Sequence, residues 1–200
     1  MSDITPTRGA ALALADEKRL IETGYGFLDE KRVLLASNLL SELREWQALR
    51  RDYEAENEQA ATALRAAVLR HGIEGVQLYP AHPVTSAGLV VTETNYLGVK
   101  LLTAPALAWL APPAPEAVAP STEAEACRAA FAKLVPMAAQ MALKQANIAR
   151  LIKEYRATER RARALENVLL PETTAALRKI NDTLDEADQE EAIRIHNAAR

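Results

Sequence analysis

The chain of 200 residues is long enough for one or two compact domains, yet only 4% of it is aromatic, 26% is charged, and alanine supplies much of the 49% that is hydrophobic. That mixture fills bulky cores poorly and is the composition of long helices. A net charge of −3 argues against a nucleic-acid partner, the one cysteine, Cys127, excludes an intrachain disulfide, and no Cys/His group has metal-ligand spacing, so no cofactor is expected.

Breakers divide the chain into arm, middle and arm: residues 1–71, 72–122 and 123–200. From 27 to 71 there is neither glycine nor proline, whereas between 71 and 122 lie Pro80, Pro83, Pro105, Pro112, Pro113, Pro115 and Pro120 with four glycines. In the first arm Leu39, Trp46, Tyr53, Ala60 and Ala67 recur every seven residues, with Leu43 and Leu64 interleaved. Arg50 and Asn57 occupy that same interleaved position, so the seam is imperfect.

The middle changes character. Residues 88–93 and 96–102 are apolar and β-branched and carry Lys100 as their only cation, which predicts a short hairpin turning at Thr94-Asn95. Its apolar surface is large for its size and suggests a docking role. The proline-rich stretch 112–120 then forms a stiff linker, and Ser121 or Thr122 caps the second arm, with Glu123 and Glu125 suited to its first turn.

In the second arm Leu134, Met141, Ile148, Tyr155, Ala162 and Leu169 repeat at seven-residue intervals, with Ala138 and Ile152 interleaved. Two such stripes cover each other when the arms fold back. The expected fold is therefore mainly α: a long antiparallel two-helix coiled coil with a small middle module containing a short β-hairpin, its arms on the order of 100 Å long. Pro136 and Pro171 interrupt the second arm, as kinks or as helix ends, and Pro171 falls roughly opposite Gly24-Tyr25-Gly26.

Chemistry is sparse. No GKT or GKS phosphate loop is present, and Asp185, Glu186, Asp188, Glu190 and Glu191 crowd one helix too closely for a hydrolytic pair, so no enzymatic activity is expected. His71, His82 and His196 are scattered. No apolar run is long enough to cross a membrane, and the N-terminal residues lack a signal-peptide core, so a cytoplasmic location without direct membrane insertion is expected.

Specific residues carry a resemblance. Pro6-Thr7-Arg8, then Gly24, Phe27-Leu28 and Lys31-Arg32, resemble the N-terminal signature of the D subunits of V-type ATPases. Residues 158–166 (TERRARALE), Pro171, Ile180 and Leu184-Asp185-Glu186 resemble that family's C-terminal helix, and Gly75-Val76 with Pro80 its centre. Asp29 stands where the family often has lysine, and Ala162 and Arg163 where it has valine and asparagine, so contacts made there are altered.

The resemblance implies a central-stalk rotor shaft, peripheral on the inner face of the cell membrane. Its partners would be a catalytic hexamer of nucleotide-binding subunits, the small F subunit of the central stalk and a socket subunit linking to the membrane ring. Lys31, Arg32, Arg160, Arg161, Arg163 and Glu166, at similar heights in the antiparallel register, are then the expected partner contacts; without the resemblance they read as an ordinary solvated face. The other function compatible with the residues is a free-standing coiled-coil scaffold that binds another helical protein.

Overall fold

A computed structural model describes residues 5–81, 91–104 and 115–198. The elements are α1 (Arg8–Leu78), β1 (Thr92–Tyr96), β2 (Val99–Thr103), α2 (Thr122–Ala164) and α3 (Leu170–Ala198), with a five-residue π-helical segment, Leu165–Leu169, between α2 and α3. The protein is mainly α with one small antiparallel sheet, as its sequence leads one to expect. It divides into two compact units: Met1–Leu34 with Tyr155–Arg200, and Leu35–Glu154. Of the features anticipated from sequence, His82, residues 88–90 of the first strand and Pro112-Pro113 of the linker lie outside the described residues.

In the first unit α1 starts under a side-chain cap, the Ala10 N–H donating to Thr7 Oγ1 at 3.1 Å. Arg8 then reaches Asp188 at 2.9 Å, while Gly24 lies against Leu165, so the two helical stretches run antiparallel. The interior is Leu14 and Ile21, seven residues apart on α1, with Thr158, Ala162, Thr173 and Ile180 from the other stretch. Leucine or isoleucine burial stabilises by roughly 1.5–3 kcal/mol each, alanine by much less. A seam of this composition is thin.

The spacing of the buried positions changes at Pro171. Before it, Thr158, Ala162 and Leu165 follow the three-and-four rhythm of a coiled coil; after it, Leu170, Thr173, Leu177, Ile180 and Leu184 resume that rhythm one residue late. Proline has no N–H to return to the carbonyl four residues back, and its ring crowds that carbonyl. The helix responds by widening: the Leu170 N–H bonds to the Leu165 carbonyl, five residues back. Leu169, expected in the stripe, is consequently 42% exposed, while Thr173 and Ile180 turn inward. Pro136, by contrast, sits inside α2 without ending it.

In the second unit Lys144 of α2 bridges Glu42 at 3.2 Å and Glu45 at 2.6 Å, and the Tyr79 hydroxyl donates to Glu125 at 2.6 Å, again an antiparallel pairing. Leu35, Ala60, Ala67, Leu134 and Leu151 are buried. Arg50 and Asn57 are exposed, with Leu49 and Glu56 half-buried in their stead, and Ala138 is exposed. The interleaved line therefore runs one residue earlier than a strict four-residue step suggests, because helix positions three and four apart alternate along a seam. Gly72 breaks the helical path near the end of α1 with φ 72° and ψ 170°, a backbone that favours glycine. Ser121 caps α2, accepting from the Ala124 N–H at 3.1 Å, and its hydroxyl also meets His71 Nε2 at 2.6 Å.

The hairpin turns at Leu97-Gly98, with φ 50° and 86°, and not at Thr94-Asn95, which lie within β1. Two successive positive φ values make the turn whose twist suits a two-residue hairpin, Gly98 supplies the second without strain, and Asn95 Oδ1 accepts the Gly98 N–H at 3.0 Å. Val99 and Leu101 of β2 are buried, whereas four of the five residues of β1 are exposed. Of the apolar residues anticipated for the hairpin, Val99 and Leu101 are covered, whereas Val91 and Leu97 stay exposed.

Candidate functional site

All six side chains expected at partner contacts fall in the first unit, on the facing stretches 31–32 and 160–166. Arg32 folds onto Asp29 one turn earlier, at 2.5 Å, and Arg163 onto Glu159, at 2.6 Å. Lys31 is half-buried and engaged. Arg160 and Arg161 are exposed and make no ion pair among the described residues. Local pairing of exposed charges is worth about 0–1 kcal/mol, so Arg32 and Arg163 can exchange partners at small cost, and Arg160 and Arg161 have nothing to give up.

Glu166 forms no ion pair with Arg32 among the described residues. Across the pair it meets Tyr25, which sequence reasoning passed over. Coulombic repulsion from Glu166 comes first among the effects that raise the Tyr25 pKa, followed by burial, Asp29 and the hydrogen bond to Glu166 itself, while Arg32 pulls it down. The tyrosine therefore stays neutral and donates a hydrogen bond to the carboxylate. This contact falls at the π-helical segment, beside Gly24, where an added Cβ would make ordinary van der Waals contact with Leu165 Cδ1 at 3.8 Å. Counting residue for residue from Gly24 and Leu165, Lys31 stands opposite Thr158 and Arg32 opposite Ala157.

The same stretch of α1 carries an apolar line that its charge pattern does not reveal. Leu20, Phe27 and Leu34 stand seven residues apart on α1 and are 72%, 69% and 41% exposed. A line of large apolar side chains left in water along one helix face makes it a candidate contact surface. Its signal was in the sequence, as a second heptad set beside Leu14, Ile21 and Leu28, but periodicity alone does not tell which of two adjacent apolar lines faces inward.

Among the described residues no helix is long and apolar enough to cross a membrane, and no group of His, Cys, Asp and Glu side chains is placed to hold a metal ion. Cys127 is buried, and burial pushes its thiol pKa up, away from reactivity.

Residues 10–200 match the family of ATP synthase D subunits. The D subunit of the V-type ATP synthase of Thermotoga neapolitana is 27% identical over 192 residues, covering 96% of this chain and 95% of that protein. The D subunit of the A-type ATP synthase of Thermococcus sibiricus is 25% identical over 195 residues (96% and 91%), and that of the V-type ATP synthase of Thermus thermophilus 27% identical over 199 (98% and 87%). A match that spans both helical stretches and the hairpin between them includes the whole architecture, and the chain belongs to the family of ATP synthase D subunits.

Proposed function

We propose that this chain is the central-stalk shaft of a V/A-type rotary ATPase, a non-catalytic subunit that couples ATP hydrolysis or synthesis in a hexamer of nucleotide-binding subunits to ion movement across the membrane. The observation that carries the reading is the family match over residues 10–200. In this reading the arms, residues 1–71 and 123–200, transmit torque, and residues 72–122 face the small stalk partner and the socket of the membrane ring.

The site chemistry supports such a role. A shaft that visits successive angles in a ring needs contacts that are individually weak, since one strong contact would trap one angle. Arg160 and Arg161, exposed and outside any ion pair among the described residues, and Lys31, Arg32, Arg163 and Glu166 beside them supply charges of that kind. The exposed line Leu20, Phe27 and Leu34 supplies apolar contact that is indifferent to rotation, because dispersion and hydrophobic contact have no preferred direction.

Affinity purification of the tagged chain followed by mass spectrometry tests the reading. Recovery with two nucleotide-binding subunits, a small stalk partner and a socket protein is the expected result; recovery of the chain alone, or with one unrelated helical protein, favours the scaffold reading instead. The purified chain should bind no ATP, and millimolar or tighter affinity by calorimetry would count against the assignment.

A further inference from the structure

The two edges of the hairpin differ in a way that its register fixes. Tyr96 pairs with Val99 around the two-residue turn, Thr94 with Leu101 and Thr92 with Thr103, and these alternate pairs exchange the hydrogen bonds of the ladder. The backbone N–H and C=O groups of Lys100 and Leu102 must then point away from β1, and those of Glu93 and Asn95 away from β2. On the β2 side the contacts agree. Asn147 of α2, 2% exposed, accepts the Leu102 N–H at 2.7 Å and donates to the Leu102 carbonyl at 2.8 Å. Arg150 donates to the Lys100 carbonyl at 2.6 Å. One amide side chain thus stands in for a neighbouring strand, and that edge is closed.

The β1 edge is open. Among the described residues β1 pairs with β2 alone, and its Thr92, Glu93, Thr94 and Asn95 are exposed. β1 has no proline and no lysine, no bulge interrupts its register, and its one charge is Glu93. Thr94 is exposed although its partner Leu101 is buried, so β1 overhangs the surface on which β2 rests. The α2 clamp holds the hairpin from behind and presents a straight, unpaired strand to solvent.

We propose that β1 is a strand-addition site, onto whose Glu93 and Asn95 backbone groups an extended segment of another subunit pairs. The complement of alternating N–H and C=O groups along a strand edge is another extended chain. Side chains narrow the choice. Glu93 and Asn95 share the outer face with Lys100, whose ammonium pairs with Glu93 at 3.4 Å from the β2 side, and an incoming strand can set lysine, arginine or threonine against them from the open side. On the inner face it meets Thr92, Thr94 and Tyr96, which suit β-branched or apolar residues. A second copy of this chain would set Glu93 against Glu93 or Asn95 and offer no cation, so the occupant is a different protein of the assembly and not a copy. The inference rests on the reading that the chain works inside a multisubunit assembly.

Amide hydrogen exchange resolved to single residues tests it on two samples, the isolated full-length chain and the complex purified through it. In the isolated chain Leu102 should exchange slowly, and Glu93 and Asn95 quickly. In the complex Glu93 and Asn95 should slow by about tenfold or more. In complexes carrying Glu93→Pro, which removes one outward N–H and leaves the β1–β2 ladder bonds in place, Asn95 should return to its fast rate; Glu93→Ala, which removes only the carboxylate, should keep it slow. Slow exchange of Leu102 in each isolated variant reports an intact hairpin, and should the proline variant fail that check, the wild-type comparison decides alone. Fast Glu93 and Asn95 amides in an assembled complex overturn the proposal and leave the rotor reading standing. Protection that appears in the isolated chain and grows with its concentration overturns it in favour of self-pairing. A chain that enters no complex overturns both readings.

Discussion

Asn147 holds Leu102 by both of that residue's backbone groups, at 2.7 and 2.8 Å, from a position on α2 that is 2% exposed. The Asn147 amide carries an acceptor and a donor side by side, so it can accept from the N–H and donate to the C=O of one residue at once. Asn147→Ala should leave one donor and one acceptor without partners, at a cost of about 1–3 kcal/mol for each that stays buried. Asn147→Asp keeps the acceptor and sets a carboxylate against the Leu102 carbonyl. Both variants should speed exchange at the Leu102 amide while the helical circular dichroism stays close to wild type; unchanged exchange would show that the hairpin is held by Val99 and Leu101 alone.

The π-helical segment implies an unusual tolerance. Removing one residue from a coiled-coil helix normally turns its buried face outward, but deletion of Val168, 49% exposed, would restore unbroken three-and-four spacing from Thr158 to Leu184. Pro171 would then sit within a regular helix and cost about 3 kcal/mol. The deletion alone should therefore lower the denaturation midpoint, and the deletion combined with Pro171→Ala should recover most of the loss. A double variant no better than the single deletion would separate the widened turn from the proline.

Lys144, Glu42 and Glu45 predict a pH profile. The hydrogen bond from Lys144 leads the causes that hold the Glu45 pKa below its ordinary 4.5, so this contribution is present above that value and lost as pH falls through the folded pKa. For Lys144 burial is the largest single effect and opposes the charge, but the bonds to Glu45 and Glu42 together outweigh it and raise the pKa above 10.5. That contribution is present below pH 10.5 and lost as pH rises through the folded value. Stability should form a plateau bounded by these two limbs, and Lys144→Met should flatten both. It should also destabilise at neutral pH, because Glu42, whose side chain is 15% exposed, loses its partner. Urea denaturation of wild type and variant from about pH 3 to about pH 11 measures this.

Phe27, 69% exposed, contributes little to the fold of the isolated chain. Phe27→Asp should change the stability of that chain by no more than about 0.5 kcal/mol, read from its denaturation midpoint, as exposed substitutions do. It should nonetheless reduce recovery of the nucleotide-binding subunits with the chain at least severalfold, while Arg160→Ala, which removes one weak contact, should leave recovery nearly intact. Equal recovery with Phe27→Asp would place the apolar line outside any interface.

The sequence by itself determined where helix could form and where it could not. Heptad spacing of leucine and alanine, the run without glycine or proline from 27 to 71, and the β-branched residues around Gly98 act locally, through backbone sterics and side-chain periodicity, so they can be read one segment at a time. The family resemblance was legible for the same reason, in motifs at fixed separations along the chain. Tertiary structure alone decided which of two adjacent apolar lines turned inward, leaving Leu20 and Phe27 in water while Leu14 and Ile21 were buried. It also decided that Pro171 widens the helix, displacing Leu169 from the seam, and that Glu166 meets Tyr25. Each of these depends on the facing helix: one residue of register moves a side chain by about 100° around its axis, and only packing across the pair can choose between such alternatives. The closed and open edges of the hairpin belong to the same class, since Asn147 lies 45 residues along the chain from the strand that it completes.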